Sequence, residues 1–206
     1  MDWYTHSAGG LLAGLGIYSL APQYFGGHPQ LLAVAVSSAL VMDVDHPGSF
    51  VGRMVPFFPG VQRGPGGHVI PFNSDYRGKA GRVLPGGYIL WHREETHSLG
   101  FALCWAVVAG LGALFWGGWR AVLPAFALAL AGGLSHLALD RFNTSREYLL
   151  WPFQRGKAGH LTDWWPRLRV GGMGERLVFL GLMGLTAVLA RGHAGSWLHQ
   201  VHYLRG

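Results

Sequence analysis

Five apolar stretches, residues 6–21, 29–45, 98–119, 121–139 and 175–191, constrain this chain more than anything else in it. A bilayer core asks for about 20 apolar residues and tolerates roughly 17 to 25, so segments of this kind read as helices that cross or enter a membrane. The first two, around "AGGLLAGLGIYSLAPQ" and "PQLLAVAVSSALVM", are short and broken by Gly and Pro. They read as a helical hairpin that only just reaches across. The third and fourth meet at Arg120 with almost no linker, which makes them antiparallel neighbours, and their Gly, Ala and Ser allow close helix packing. The expected fold class is all-α: an integral membrane helical bundle of four to five spans. It forms a single domain over 1–206, with 192–206 as a C-terminal tail.

Between the second and third spans lies "PGSFVGRMVPFFPGVQRGPGGHVIPFNSDYRGKAGRVLPGGY", rich in Gly and Pro and without helical period. It reads as loop and turns, and residues 47–90 as a loop or lid insertion. Its "RGPGG" lacks both the preceding strand and the following Gly-Lys-Ser/Thr of a phosphate-binding loop, so turn chemistry is the better reading. The chain is half apolar and 13% charged, and its mean hydropathy of +0.24 is modest only because polar, basic stretches dilute the spans. The net charge of +6 is scattered, with no dense basic run or nucleic-acid motif, so no nucleic-acid partner is expected. "MDWYTHSAGG" lacks the basic start of a secretory signal, so the N-terminus is expected to stay in the mature protein.

Of the 16 Lys and Arg, 13 fall in 46–97 and 141–176. Two spans separate these stretches, so both lie on one side, and the positive-inside rule makes that side cytoplasmic. The expected setting is a bacterial-type inner membrane, multi-pass. Trp116, Trp119, Trp151, Trp164, Trp165 and Trp197 sit near span ends, as an interfacial belt requires.

Ionisable residues gather at the span ends on this same side. His6 opens the first span, Asp43, Asp45 and His46 close the second, His92 and His97 open the third, and His136 and Asp140 close the fourth. Carboxylates beside lipid are costly unless paired, hydrated or metal-bound. His136 and Asp140 are four apart on a helix and share a face. Asp43 and His46 also share one, while Asp45 points elsewhere unless Pro47 unwinds the end. Thr96 reads as the N-cap of the third span. Cys104 is the sole cysteine, so a metal here would be held by imidazole and carboxylate alone. Such a set suits a divalent metal, one or two Zn, with Mn, Fe or Ni as alternatives; two ions bridged by Asp would activate water for hydrolysis. Arg93 is placed to hold an anionic oxygen of a substrate. Glu94 and Glu95 read as a general base or as solvated charges, and His68, His160, His193, His199 and His202 as surface or loop histidines. Asp43 is expected to be a ligand. Asp45 is either ligand or base, and as a base its pKa would be raised by desolvation.

"DVDHP", "HREETHS", "SHLALD" and "LLWPF", in this order after an early His6, resemble the YdjM-like family, inner-membrane-associated proteins described as metal-dependent hydrolases and as LexA-binding. The resemblance covers about residues 1–155. It implies a small multi-span helical protein with metal at one membrane face. Its site residues carry onto His6, Asp43, Asp45, His46, His92, Arg93, Thr96, His97, His136 and Asp140, with "LWPF" at 150–153 shaping the pocket wall. Two departures stand out. The interval from His46 to His92 is longer than the family pattern, marking 56–90 as an added lid, and Asn143 and Ser145 replace expected loop residues. The functional expectation is a membrane-bound hydrolase of an ester or phosphoester, with Asp45, Arg93 and Thr96 as catalytic candidates. Membrane lipid and a small-molecule or lipid-linked substrate are the expected partners. The alternatives are a metal-stabilised adaptor that binds a protein without catalysis, and a divalent-metal transporter, whose site would lie nearer the bilayer midplane.

Overall fold

A computed structural model describes residues 2–25, 31–55, 57–64, 67–72, 79–92, 95–142, 150 and 168–203. The apolar stretches are helices: α1 (Trp3–Leu20), α2 (Leu32–Val41), α4 (Leu99–Gly112) continued by α5 (Leu114–Gly117), α6 (Trp119–Asp140) and α7 (Met173–Tyr203). A 3-10 turn at Pro22–Phe25 closes α1. Three helical segments, Leu99–Gly117, Trp119–Asp140 and Met173–His193, are long and apolar enough to cross a membrane. The second predicted span is shorter than expected. Its helix stops at Val41, and residues 42–45 follow as a turn. The predicted tail is instead helix, since α7 runs on to Tyr203 with no Pro to stop it.

α6 is the hub, packing against α1, α2 and α4, while α7 lies along α1. Small residues make the close approaches possible. A methyl at Gly132 of α6 would meet the backbone of Ala35 in α2, and one at Gly10 of α1 would meet Ala35 and Ala39. Ala35 and Ala39 are fully buried. Meanwhile Leu103, Val107, Val108 and Leu111 of α4 and Leu177, Leu180, Leu185 and Val188 of α7 face outward. This is the pattern of helices that pack by small residues and present large apolar ones to lipid. Trp116 and Trp119 stand exposed at the α5–α6 junction, as belt residues would.

The segment expected to be loop is built differently. After a one-turn α3 (Phe50–Arg53) come four short strands, β1 (Gly60–Arg63), β2 (Val69–Pro71), β3 (Ala80–Val83) and β4 (Ile89–Trp91), in an antiparallel sheet ordered β2-β1-β3-β4. Val61 pairs with Pro71 and with Gly81, and Gly81 with Trp91. "VLPGGYIL" is a hairpin, with Gly86 and Gly87 at φ 86° and 82°, a backbone that side chains rarely tolerate. Of "RGPGG", Arg63 ends β1 and Gly67, at φ 86°, precedes β2, while Pro65 and Gly66 lie outside the described residues.

One buried arginine fastens this sheet to the bundle. Arg82 of β3 donates from Nε to the Val44 carbonyl at 2.9 Å and from Nη1 to those of Val55 at 2.8 Å and Phe58 at 2.6 Å. Its Nη2 donates to Gly52 O. The turn that follows α2 is therefore tied to the sheet, and that turn carries Asp43 and Asp45.

Candidate metal centre

Four separate pieces of chain bring ionisable groups to one end of the bundle. α1 contributes His6 from its first turns, the turn after α2 contributes Asp43 and Asp45, the stretch between β4 and α4 contributes His92 and His97, and the last turns of α6 contribute His136 and Asp140. Helix periodicity aligns the α6 pair, whose Nε2 and Oδ2 are 3.7 Å apart. His6, Asp45, His97, His136 and Asp140 are each 1% exposed or less. Groups this deeply buried are stable only when their charges are matched.

The inner contacts converge on a point. His97 Nε2 lies 3.2 Å from His136 Nε2, 3.3 Å from Asp43 Oδ1 and 3.4 Å from Asp140 Oδ2. His136 Nε2 lies 3.7 Å from each of the same two oxygens. A tetrahedral ion with bonds of about 2.0–2.1 Å sets its ligands about 3.3–3.4 Å apart. The five distances bracket that value, so His97 and His136 with either Asp43 or Asp140 are spaced as three ligands of a zinc-sized cation would be. Beyond them, His6 Nε2 is 3.2 Å from Asp140 Oδ1 and its ring stacks on His136 at 3.8 Å. Three overlapping triads could each hold a metal: His6, His136 and Asp140; Asp43, His97 and His136; and Asp45, His92 and His97.

Thr96 orients the centre rather than capping α4. The cap is Ser98, whose hydroxyl accepts from Phe101 N–H. The Thr96 hydroxyl donates to Asp45 Oδ2 and lies 3.1 Å from His97 Nδ1. Having given its only proton to Asp45, the hydroxyl accepts from His97 Nδ1–H, and Nε2 is turned toward the converging ligands. Burial alone would pull the His97 pKa down, but hydrogen bonds to Asp140 and Asp43 and the Asp45 charge outweigh it and push it up to about 10. A positive charge belongs at this nitrogen, and a proton and a cation compete for it.

Asp45 does not point away. The chain has left the helix by Met42, and Asp45 turns inward, accepting from Thr96 and lying 2.9 Å from His92 Nδ1. Burial would raise its carboxyl, yet His92 and Thr96 hold it below the usual range. That reverses the rise expected of a proton acceptor. Both Asp45 oxygens have partners, His92 at one and Thr96 at the other. Burial likewise would raise the Asp43 carboxyl, and His136, His97 and His92 hold it well below that range.

A cleft of about 300 Å³ opens onto this cluster, lined by Asp43, His46, His92 and Asp140 and by Asp2, Trp3, Gly48, Ser49, Phe50, Arg53 and Val170. His46 is in the cleft but in none of the three triads. Its Nδ1 accepts from Gly48 N–H at 3.1 Å, which puts the proton of the neutral ring on Nε2. Arg53, Trp3 and Phe50 were not singled out from sequence. For Phe50 and Arg53 the only signal was position, three and six residues beyond Pro47 of "DVDHP".

Other expected residues land elsewhere. Arg93, Glu94, Asn143, Ser145, His160 and 151–153 of "LWPF" lie outside the described residues, as do Trp151, Trp164 and Trp165. Glu95 is not a solvated charge: it is buried and accepts from Tyr88 O–H at 2.6 Å. His193, expected at the surface or in a loop, is half-buried on a helix. It belongs to α7 and lies 2.8 Å from Ser19 Oγ, near the opposite end of α1 from His6.

With this arrangement in view, the chain matches the YdjM inner membrane protein family over residues 1–202. The chain belongs to the YdjM inner membrane protein family. The match extends well past the motifs that end near residue 155 and takes in α7. Comparison with curated proteins and with solved structures finds no match. As a family member with three helices long and apolar enough to span a bilayer, it is a membrane protein.

Proposed function

We propose that this YdjM-family protein is a metal-dependent hydrolase of an ester or phosphoester, working at the cytoplasmic membrane interface. One observation supports the reading above the others: His97 and His136 stand 3.2 Å apart and within 3.3–3.7 Å of Asp43 and of Asp140, and these two carboxylates line a cleft large enough for a small substrate group. A divalent ion held there would supply Lewis acidity and lower the pKa of water. His97, His136, Asp43 and Asp140 would hold the first ion, with His6, or Asp45 and His92, extending the set toward a second.

The chain's own groups do the rest. Asp45 and Thr96 fix His92 and His97 in one tautomer and one orientation. His46 lines the cleft, its ring held through Nδ1 by Gly48 N–H. The cytoplasmic placement rests on the 13 basic residues in the two stretches on the site's side.

The second reading, an adaptor stabilised by metal, draws on the same closeness: four protein ligands around one point are what structural centres use. Elemental analysis of the purified protein and of His136→Ala and Asp140→Ala, alongside turnover of a generic phosphodiester and a simple ester, separates the two. The hydrolase reading expects metal in the wild type, less in both variants, and turnover that falls with it. Metal without turnover of any ester supports the adaptor. Metal content unchanged in both variants sinks the site.

A further inference from the structure

The cleft floor is acidic, yet its wall carries a guanidinium. Asp2, Asp43 and Asp140 line it, and Arg53 is the single Lys or Arg among the described lining residues. Arg53 is exposed, but its head is fixed in place: Nε and Nη2 donate to the Gly48 carbonyl at 3.2 and 3.0 Å. That carbonyl belongs to the loop holding His46 and Ser49, so the guanidinium is locked to the metal side of the cleft. Two of its five N–H groups are used there, which leaves a planar fork suited to two oxygens of an anion. A neutral ester has no need of such a group. A phosphoryl group does, since its charged oxygens would lie between the cation-binding floor and the Arg53 wall.

The mouth has a different character. Trp3 and Phe50 stack at 5.3 Å with their planes 23° apart, and both remain about half exposed, 52% and 45%. Beyond Phe50 the chain continues with exposed Met54 and Phe57. Large apolar side chains at the mouth of a charged cleft suit an amphiphile whose head enters and whose tail lies across the rim.

We infer that the cleft takes a phosphoester joined to an apolar chain, with Arg53 gripping the phosphoryl oxygens and the Trp3–Phe50 pair bordering the chain. The inference rests on the hydrolase reading for its site, but its test needs no turnover. Full-length protein in dodecyl maltoside is titrated calorimetrically with dodecylphosphonate and with ethylphosphonate, whose carbon–phosphorus bond is not hydrolysed. Dodecylphosphonate is expected to bind at least about tenfold tighter, from the apolar area that its longer chain buries. Arg53→Gln weakens both probes by about tenfold to a hundredfold, the usual worth of hydrogen bonds from a charged donor. Arg53→Lys recovers part of the loss, and Phe50→Ala weakens dodecylphosphonate alone.

Equal affinities for both probes in Arg53→Gln and wild type overturn the phosphoryl subsite. Equal binding of the short and long probes by wild type, unchanged in Phe50→Ala, overturns the apolar chain and points to a free phosphate compound. The two readings fail separately. Phosphonate binding that depends on Arg53, in a protein that hydrolyses nothing, supports this inference and ends the hydrolase reading. Turnover of neutral esters that Arg53→Gln leaves intact, with no phosphonate binding, does the reverse.

Discussion

Replacing Arg82 with Met tests whether the sheet exists to hold the ligand-bearing turn. Arg82 is 4% exposed and donates to the carbonyls of Val44, Gly52, Val55 and Phe58. A hydrogen bond from a charged group contributes about 1.5–3 kcal/mol, and an orphaned buried carbonyl costs about 1–3 kcal/mol. Four such losses do not simply add, because the segment 44–58 can open and give its carbonyls to water. The opening caps the penalty at about 3–5 kcal/mol, the range seen when one partner of a buried charged network is removed. That range corresponds to opening more frequent by about a hundredfold to several thousandfold. Hydrogen exchange read by mass spectrometry should show faster exchange in 44–63 and 80–92, with α6 unchanged. Because Val44 stands between Asp43 and Asp45, metal retention should fall as well. Arg82→Lys, which reaches fewer of the four carbonyls, should lie between. Exchange unchanged in 44–58, or lost equally throughout α6, would refute the reasoning.

Thr96→Val, which deletes the hydroxyl between Asp45 and His97, should weaken metal binding by about tenfold to a hundredfold while Thr96→Ser restores it; chelator competition measures both, and equal affinity in Val and wild type would count against the relay. Gly132→Ala should force α6 from Ala35 of α2 and lower the thermal midpoint in detergent by several degrees, whereas the same change at Gly181, where nothing lies within 4 Å, should not; equal midpoints would show that the close approach is unimportant. In a Cys104→Ala background, cysteines at exposed Phe57 and Met173 should react with an impermeant maleimide from the cytoplasmic side and one at Phe115 from the other. Phe57 and Phe115 labelled from one side would overturn the topology.

That these histidines and aspartates gather at one end of the bundle was legible because of a property of the spans themselves. Alternating helices return to the same face, so His6, the Asp43 group, His97 and the His136–Asp140 pair could be placed together before any coordinates. The sheet was not legible for the opposite reason. Its strands are three or four residues long, too short for alternation to show, although the apolar residues flanking Pro85, Gly86 and Gly87 are a hairpin signal that passes unremarked in so Gly-rich a stretch. The cap of α4 was missed because Thr96 and Ser98 both suit the position, and only the tertiary pull of Asp45 on Thr96 decides between them. Arg53 escaped for want of pattern: its meaning comes from the Gly48 carbonyl and the cleft, neither of which spacing encodes. Asp45 depended on where α2 ends, and helix ends are the least certain part of any sequence reading.

His97, His136, Asp43 and Asp140 come from three places in the chain, and none of the three triads can be assembled from a single helical hairpin of α1 and α2. The centre is complete only once α6 has entered and docked, so metal loading would serve as a receipt for finished assembly. Anything that binds the native state alone stabilises it by mass action, by about 4 kcal/mol at a free concentration a thousand times its Kd. Under metal starvation, then, the first deficit in the cell would be fewer copies of the protein surviving membrane quality control, ahead of any loss of rate per copy.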